Sequence, residues 1–194
     1  MKKFLLYVAI MLLYAASVAQ ANATQFLGIP IDGTKTEMIQ KLKVKGFLYD
    51  AKLDILEGEF NGQKVHISIV TDNGKVYRIM LIDANETSES QIKIRFNTLC
   101  YQFEKNGKYL PMKENQSIDE SEDISYEMLV HNKEYQAGFY QLGQDIASYY
   151  DKSTEELERL LNKVVWFTIV ESYGKYVIAM YYDNYNNASN GEDL

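Results

Sequence analysis

The chain has a single cysteine, Cys100, two histidines, His66 and His131, two prolines, and no long apolar run after its first few residues. One cysteine cannot close an intramolecular disulfide, so the fold must rest on its hydrophobic core. Two isolated histidines and one thiol do not provide the spacing of a zinc site. Glycines are scattered among turn-like segments instead of forming a phosphate-cradling loop, and no serine has the flanking glycines of a hydrolase elbow. A basic excess is missing as well: 20 Lys and Arg stand against 27 Asp and Glu. The densest basic group, Lys35, Lys41, Lys43 and Lys45, reads as the solvated face of a helix, so nucleic acid is not an expected partner.

What the chain does have begins at its amino terminus. Met1-Lys2-Lys3 is a charged start, Phe4 to Ala16 an apolar run, and Ala19-Gln20-Ala21 a small-residue cleavage pattern, which together read as a secretion signal. The run is about 13 residues, short of the roughly 20 that a spanning helix needs, so residues 1–21 are expected to be removed and no transmembrane segment to remain. Cleavage after Ala21 fits best, with cuts after Ala19 or Ala23 as alternatives. Losing Lys2 and Lys3 leaves 18 basic residues against 27 acidic ones, a formal charge of −9. The only cysteine lies far from the cut, so no lipid anchor is expected, and the mature protein is read as exported, periplasmic or secreted.

Three helices are predicted from one device, a Ser or Thr cap followed three residues later by Glu or Gln: Thr34 with Glu37, Ser88 with Gln91, and Ser153 with Glu156. The first carries Met38, Ile39 and Leu42 inward and ends near Gly46. The second runs to about Lys105 with Ile92, Phe96, Leu99, Cys100 and Phe103 on one stripe, which makes Cys100 a buried apolar residue. The third holds Leu157, Leu160 and Leu161. Between the first two, Leu56, Phe60, Val65, Ile67, Ile69, Tyr77, Ile79 and Leu81 follow period two, an antiparallel meander turning at Asn61-Gly62 and Asp72-Asn73-Gly74.

Lys113 to Asp123 is polar, acidic and aperiodic, a loop or linker. Ile124 to His131 fits either a short helix or a strand, Asn132-Lys133 a turn, and Glu134 to Leu142 a strand. Val164 to Glu171 and Tyr176 to Asp183 form a final hairpin around Tyr173-Gly174. Its register sets Ile169, Phe167 and Val165 against Ile178, Met180 and Tyr182 on the core side. The other side pairs Val170 with Val177, Thr168 with Ala179, Trp166 with Tyr181, and Val164 with Asp183. The Asn-rich tail beyond Asn184 is expected to fray. The resulting fold class is α+β, with helices on one face of antiparallel sheet. The organisation is a signal peptide (1–21), a helix, meander and helix unit (22–112), the acidic segment (113–123), and a β-rich unit (124–194) packed with the first as one body.

The segments Phe26 to Thr34, Lys41 to Phe47 and Leu56 to Gly62 resemble the opening of a family of exported Bacteroidetes-type proteins of unknown function. Tyr181 to Asn186 with Glu192-Asp193-Leu194 resembles that family's last strand and terminus. The resemblance implies an α+β fold of two helix-plus-antiparallel-sheet units and assigns no activity and no functional residue. The stretch Gly28 to Thr34 is its most specific piece, and its physics is structural: Pro30 fixes φ, Gly33 permits a bend, Thr34 caps.

No catalytic residue, metal ligand or cofactor is indicated. His66 is expected on the exposed face of its strand, and His131 belongs to no motif. Neither Asp119 to Asp123 nor Asp183 to Asn187 matches a twelve-residue calcium loop. One feature points to recognition: sixteen tyrosines and one tryptophan in an acidic chain. Trp166 and Tyr181 pair on the less apolar side of the last hairpin, with Thr168 and Asp183 as hydrogen-bonding neighbours. Left open, that side offers a platform for a protein, peptide or glycan of the envelope; covered by a helix, it is a second core. The leading expectation is a non-enzymatic binding module of the cell envelope. An extracytoplasmic hydrolase with an unrecognised carboxylate site is the alternative, and an inhibitor of an extracytoplasmic enzyme is a third reading by analogy of fold.

Overall fold

The computed structural model describes residues 23–142, 153, 157 and 160–189. The expected signal peptide therefore lies outside the described residues, as does most of the helix expected from Ser153. Within that stretch the Leu157 amide donates to the Ser153 carbonyl at 3.1 Å. The elements are β1 (Gln25–Phe26), β2 (Ile29–Pro30), α1 (Lys35–Val44), β3 (Leu48–Asp50), β4 (Ile55–Phe60), β5 (Gln63–Asp72), β6 (Lys75–Asp83), α2 (Glu89–Lys105), β7 (Tyr109–Pro111), α3 (Ile124–His131), β8 (Gln136–Gln141), β9 (Lys163–Ser172) and β10 (Lys175–Asn184), closed by a 3₁₀ turn at Tyr185–Asn187. The fold is α+β. One eight-stranded sheet runs β3-β4-β5-β6-β10-β9-β8-β7, and its neighbouring strands are antiparallel. Beside it β1 and β2 form a separate ribbon.

The strand order exposes a tandem arrangement. α1 leads into β3 to β6, and α2 into β7 to β10; the last strands of the two units, β6 and β10, meet at the centre of the sheet. The hairpins β5–β6 and β9–β10 also correspond in sequence. Val65, Ile69, Gly74, Lys75, Met80 and Asp83 recur one hundred residues on as Val165, Ile169, Gly174, Lys175, Met180 and Asp183.

Two of the three predicted capping boxes form, at α1 and α2, and Glu156 of the third pair lies outside the described residues. The apolar stripes of α1 and α2, Met38, Ile39 and Leu42 on one and Ile92 to Phe103 on the other, enter a continuous core with Leu56, Val65, Ile67, Ile79, Leu81, Phe139, Val165, Phe167, Met180 and Tyr182. Cys100 sits in it, fully buried. Asp83 fixes α2 to this face by accepting Arg95 Nε and Nη2 at 2.6 Å each.

Tyr77 departs from the expected alternation. Val70 pairs with Arg78 but Thr71 pairs with Val76, so Tyr77 is the extra residue of a β-bulge. Val76 turns into the core in its place, while Tyr77 and Arg78 stay half-buried. The β9–β10 register runs unbroken from Lys163↔Asn184 to Ser172↔Lys175. Because a one-residue offset reverses which face a side chain occupies, Asp83 looks toward the helices and Asp183, its sequence counterpart, toward the opposite side.

Residues 124–131, ambiguous in sequence, are helical. Asp123 Oδ1 accepts the Tyr126 amide at 2.8 Å, and Asn132 ends the helix at φ 51°. The acidic stretch before it is a loop laced to α2: Asn97 exchanges two 2.8 Å hydrogen bonds with the Ile118 backbone, and Lys93 Nζ donates to the Glu120 and Glu122 carbonyls. β7 and β8, on either side of that loop, pair with each other.

The tail is pinned rather than frayed as far as Ser189. Asn184 Nδ2 donates to the Ile31 carbonyl at 2.9 Å, and Asn187 Nδ2 to Asp32 Oδ1 and the Val76 carbonyl at 2.9 Å each.

Candidate functional site

α1, α2 and α3 all send buried side chains into the core on one side of the sheet; on the other side Leu161, at the end of the helix expected from Ser153, lines a cavity with Trp166. Down the middle of that other side lie Ser68, Arg78, Met80, Ile82, Trp166, Thr168, Val177 and Tyr181, all half-buried, with Ala179 buried among them. The last hairpin has the predicted register, Trp166↔Tyr181, Thr168↔Ala179 and Val164↔Asp183, and turns at Tyr173 (φ 52°) and Gly174 (φ 73°). The expected binding residues Trp166, Thr168, Tyr181 and Asp183 therefore do share this face.

Their roles differ from a flat platform. The Trp166 and Tyr181 rings are stacked, with centroids 4.0 Å apart and planes 12° from parallel. Strands are spaced about 4.8 Å apart, so two cross-strand rings can stack at that distance only by standing upright on the sheet. Each ring covers one face of the other. The outer face of Tyr181 looks toward β6, where the Arg78 guanidinium carbon sits 5.1 Å from its centroid; that carbon is also 5.6 Å from the Tyr77 ring and 5.9 Å from Trp166. The outer face of Trp166 looks toward β8, whose residue directly opposite is Gly138.

Asp183 is engaged within the fold. It is fully buried and accepts Arg78 Nε at 2.6 Å and Nη2 at 2.8 Å, Trp166 Nε1 at 2.9 Å and the Tyr185 hydroxyl at 3.0 Å. Four donors fill the lone pairs of one carboxylate. Asp183 in turn holds the Arg78 guanidinium protonated more firmly than usual. Its backbone carbonyl accepts the Thr24 hydroxyl at 2.5 Å, which ties the amino-terminal ribbon to the same point. Asp183 thus orients the aromatic cluster from below. Thr168 directs its hydroxyl at the Ile169 carbonyl, 3.3 Å away.

Beside the free face of Trp166 a cavity of about 500 Å³ opens, walled by Met112, Gly138, Tyr140, Leu161 and Val164, with Lys113 among its lining residues. Gly138 presents no side chain opposite the indole, and Met112 packs over it. Sequence reasoning missed Gly138, Met112 and Arg78. A glycine inside an otherwise apolar strand was the available signal for the first. A second cavity, of about 420 Å³, lies under the amino-terminal ribbon. Gln141 in its wall spends its amide on the Gln25 backbone, accepting at 2.6 Å and donating at 2.9 Å, and so acts as a strand partner.

The groups that suggest catalysis elsewhere are not assembled. His66 is exposed with Glu57 at 3.7 Å, and His131 pairs with Glu127 one helical turn away at 2.9 Å. Burial, with Glu104 second, pushes the Cys100 thiol up to about 12. Among the described residues no three His, Cys, Asp or Glu side chains are grouped to hold a metal, and no helix is long and apolar enough to cross a membrane. Compared with models of known families, with curated proteins and with solved structures, the chain matches none.

Proposed function

We infer that this is an exported, non-enzymatic binding module of the cell envelope, which holds a macromolecular partner on the open face of its sheet. The observation that carries the reading is the division of labour between the two sheet faces. One is sealed by helices. The other keeps an ordered cluster of Trp166, Tyr181, Tyr77 and Arg78, braced from beneath by a buried carboxylate and bordered by a cavity. Aromatic and arginine side chains, rigid and able to combine apolar contact with hydrogen bonding, dominate the centres of protein interfaces. A cluster held in place before binding also loses little conformational entropy on association.

The test is capture of a partner from the envelope by the mature protein, set against Trp166→Ala and Tyr181→Ala variants of confirmed fold and a Lys43→Ala control on α1, which packs on the opposite face. The reading expects a partner retained by wild type and control and lost from both aromatic variants. Equal capture by all four proteins would remove this face from consideration. Turnover of a glycan or peptide substrate, abolished by one Asp or Glu substitution, would replace binding with hydrolysis.

A further inference from the structure

We propose that the slot beside Trp166 takes one large apolar side chain, preferentially aromatic, from a polypeptide segment that also brings a carboxylate to Lys113. The proposal rests on the open face being the binding face and specifies what that face reads. The cavity of about 500 Å³ falls in the range of small-ligand sites, and its walls are the indole face of Trp166, Met112, Ala137, Leu161 and Val164.

The hydrogen-bonding groups around it are mostly committed. The Gln116 side chain accepts the Gly138 amide at 2.8 Å and donates to the Gly138 carbonyl at 3.2 Å. The Trp166 N–H and the Tyr185 hydroxyl both serve Asp183, and Gln136 Nε2 donates to Glu134 at 2.6 Å. A sugar needs several convergent polar groups around its hydroxyls; a slot whose polar groups are already paired favours an apolar side chain, since unmatched hydroxyls entering it lose water without compensation. The Tyr140 hydroxyl and Lys113 are the exceptions. Lys113 lines the slot, is exposed, and makes no ion pair among the described residues. In an acidic chain it supplies local attraction for a carboxylate.

Gly138 controls the space. A Cβ built there would lie 2.8 Å from Met112 Sδ, near the end of a flexible side chain, so Gly138→Ala should be accommodated by moving Met112 into the slot. Trp166 is the only tryptophan, and its emission reports the slot directly.

The mature chain is titrated with N-acetylphenylalanine, with N-acetylphenylalaninamide, and with cellobiose and chitobiose, following Trp166 fluorescence. Expected is a saturable change with the carboxylate probe and a response about tenfold weaker with the amide, a difference that Lys113→Ala removes, together with no response to either sugar. Gly138→Ala, with its fold checked by near-ultraviolet circular dichroism, should weaken both phenylalanine probes about tenfold or more. Lys113 is a surface residue, so its variant stays informative even if Gly138→Ala folds poorly. The proposal is overturned by the absence of a saturable change in the wild type, by saturable binding of a sugar, or by equal titration of the two phenylalanine probes. A partner captured equally well by wild type and folded Gly138→Ala, but lost from Tyr181→Ala, would reject the slot and leave the open-face reading standing.

Discussion

Asp183→Ala removes the carboxylate on which the open face is built. Arg78 then keeps a guanidinium whose side chain is only 24% exposed, opposite a fully buried position that no longer carries charge. Breaking a buried ion pair from one side costs roughly 3–5 kcal/mol, and partial access of water to Arg78 puts this pair near the lower figure, about 3. The Trp166 N–H loses its acceptor in a half-buried setting, adding about 1 kcal/mol, whereas Tyr185, 41% exposed, can turn to water. The expected loss is therefore about 4 kcal/mol, a large part of a total stability of roughly 5–15. With a urea slope of about 2 kcal/mol/M, the unfolding midpoint should fall by about 2 M. Asp183→Asn retains the shape and should cost about half as much. Arg78→Met combined with Asp183→Ala should cost less than the sum of the single changes by about 1.5 kcal/mol or more, because the second substitution removes the charge stranded by the first. A loss below about 1 kcal/mol for Asp183→Ala, or strict additivity in the cycle, would refute the assignment of Asp183 as the organising group.

Cys100, sealed in the α2 stripe with its thiol raised to about 12, should react with a disulfide reagent at pH 8 no faster than the protein unfolds; labelling that is fast while the protein remains folded would contradict its burial. Tyr173 occupies the left-handed region at φ 52° on a fully exposed turn, so Tyr173→Asn should raise stability by roughly 0.5 kcal/mol in urea melts, with no change of register. Lys133, and after it Tyr135, hydrogen-bond the Glu122 carboxylate and hold it below its ordinary value of 4.5. Because protonation is then harder in the folded state, this contribution is complete above that value and disappears as pH falls through the lowered one. Thermal midpoints of wild type and Glu122→Gln measured from pH 7 down to pH 3 should accordingly differ at neutral pH and converge in acid; a constant gap would show that the pair contributes nothing through its charge.

Patterns carried by neighbouring residues were legible in the sequence. Capping boxes at Thr34 and Ser88, the Asn-Gly turns, the α2 stripe through Cys100 and the pairing of Trp166 with Tyr181 all depend on spacings of a few residues, and the structure has them. What escaped depends on partners far away in the chain. The bulge at Tyr77 has no local signature, yet it decides that Arg78 meets Asp183. The β1–β2 turn uses Leu27 at φ 52° where an Asn or Asp is the usual signal. The α3 segment shows little periodicity because Ile124 is its only fully buried residue, and Tyr126, Leu129 and Val130 stay exposed. The tail's asparagines looked like solvent-facing residues but are consumed by backbone groups around Ile31 and Val76. At the site, the pairing was readable and the upright stacking was not, since it involves Gly138 opposite Trp166 and Met112 packed over that glycine, contacts distant in the chain.

Site-specific photo-cross-linking tests the central claim most directly. A photoreactive amino acid at Gln136, exposed on the open face, is compared in the envelope with the same group at Lys43, exposed on α1. A discrete partner adduct from Gln136 and none from Lys43 is the predicted result; the same adduct from Lys43, with none from Gln136, would contradict binding through the open sheet.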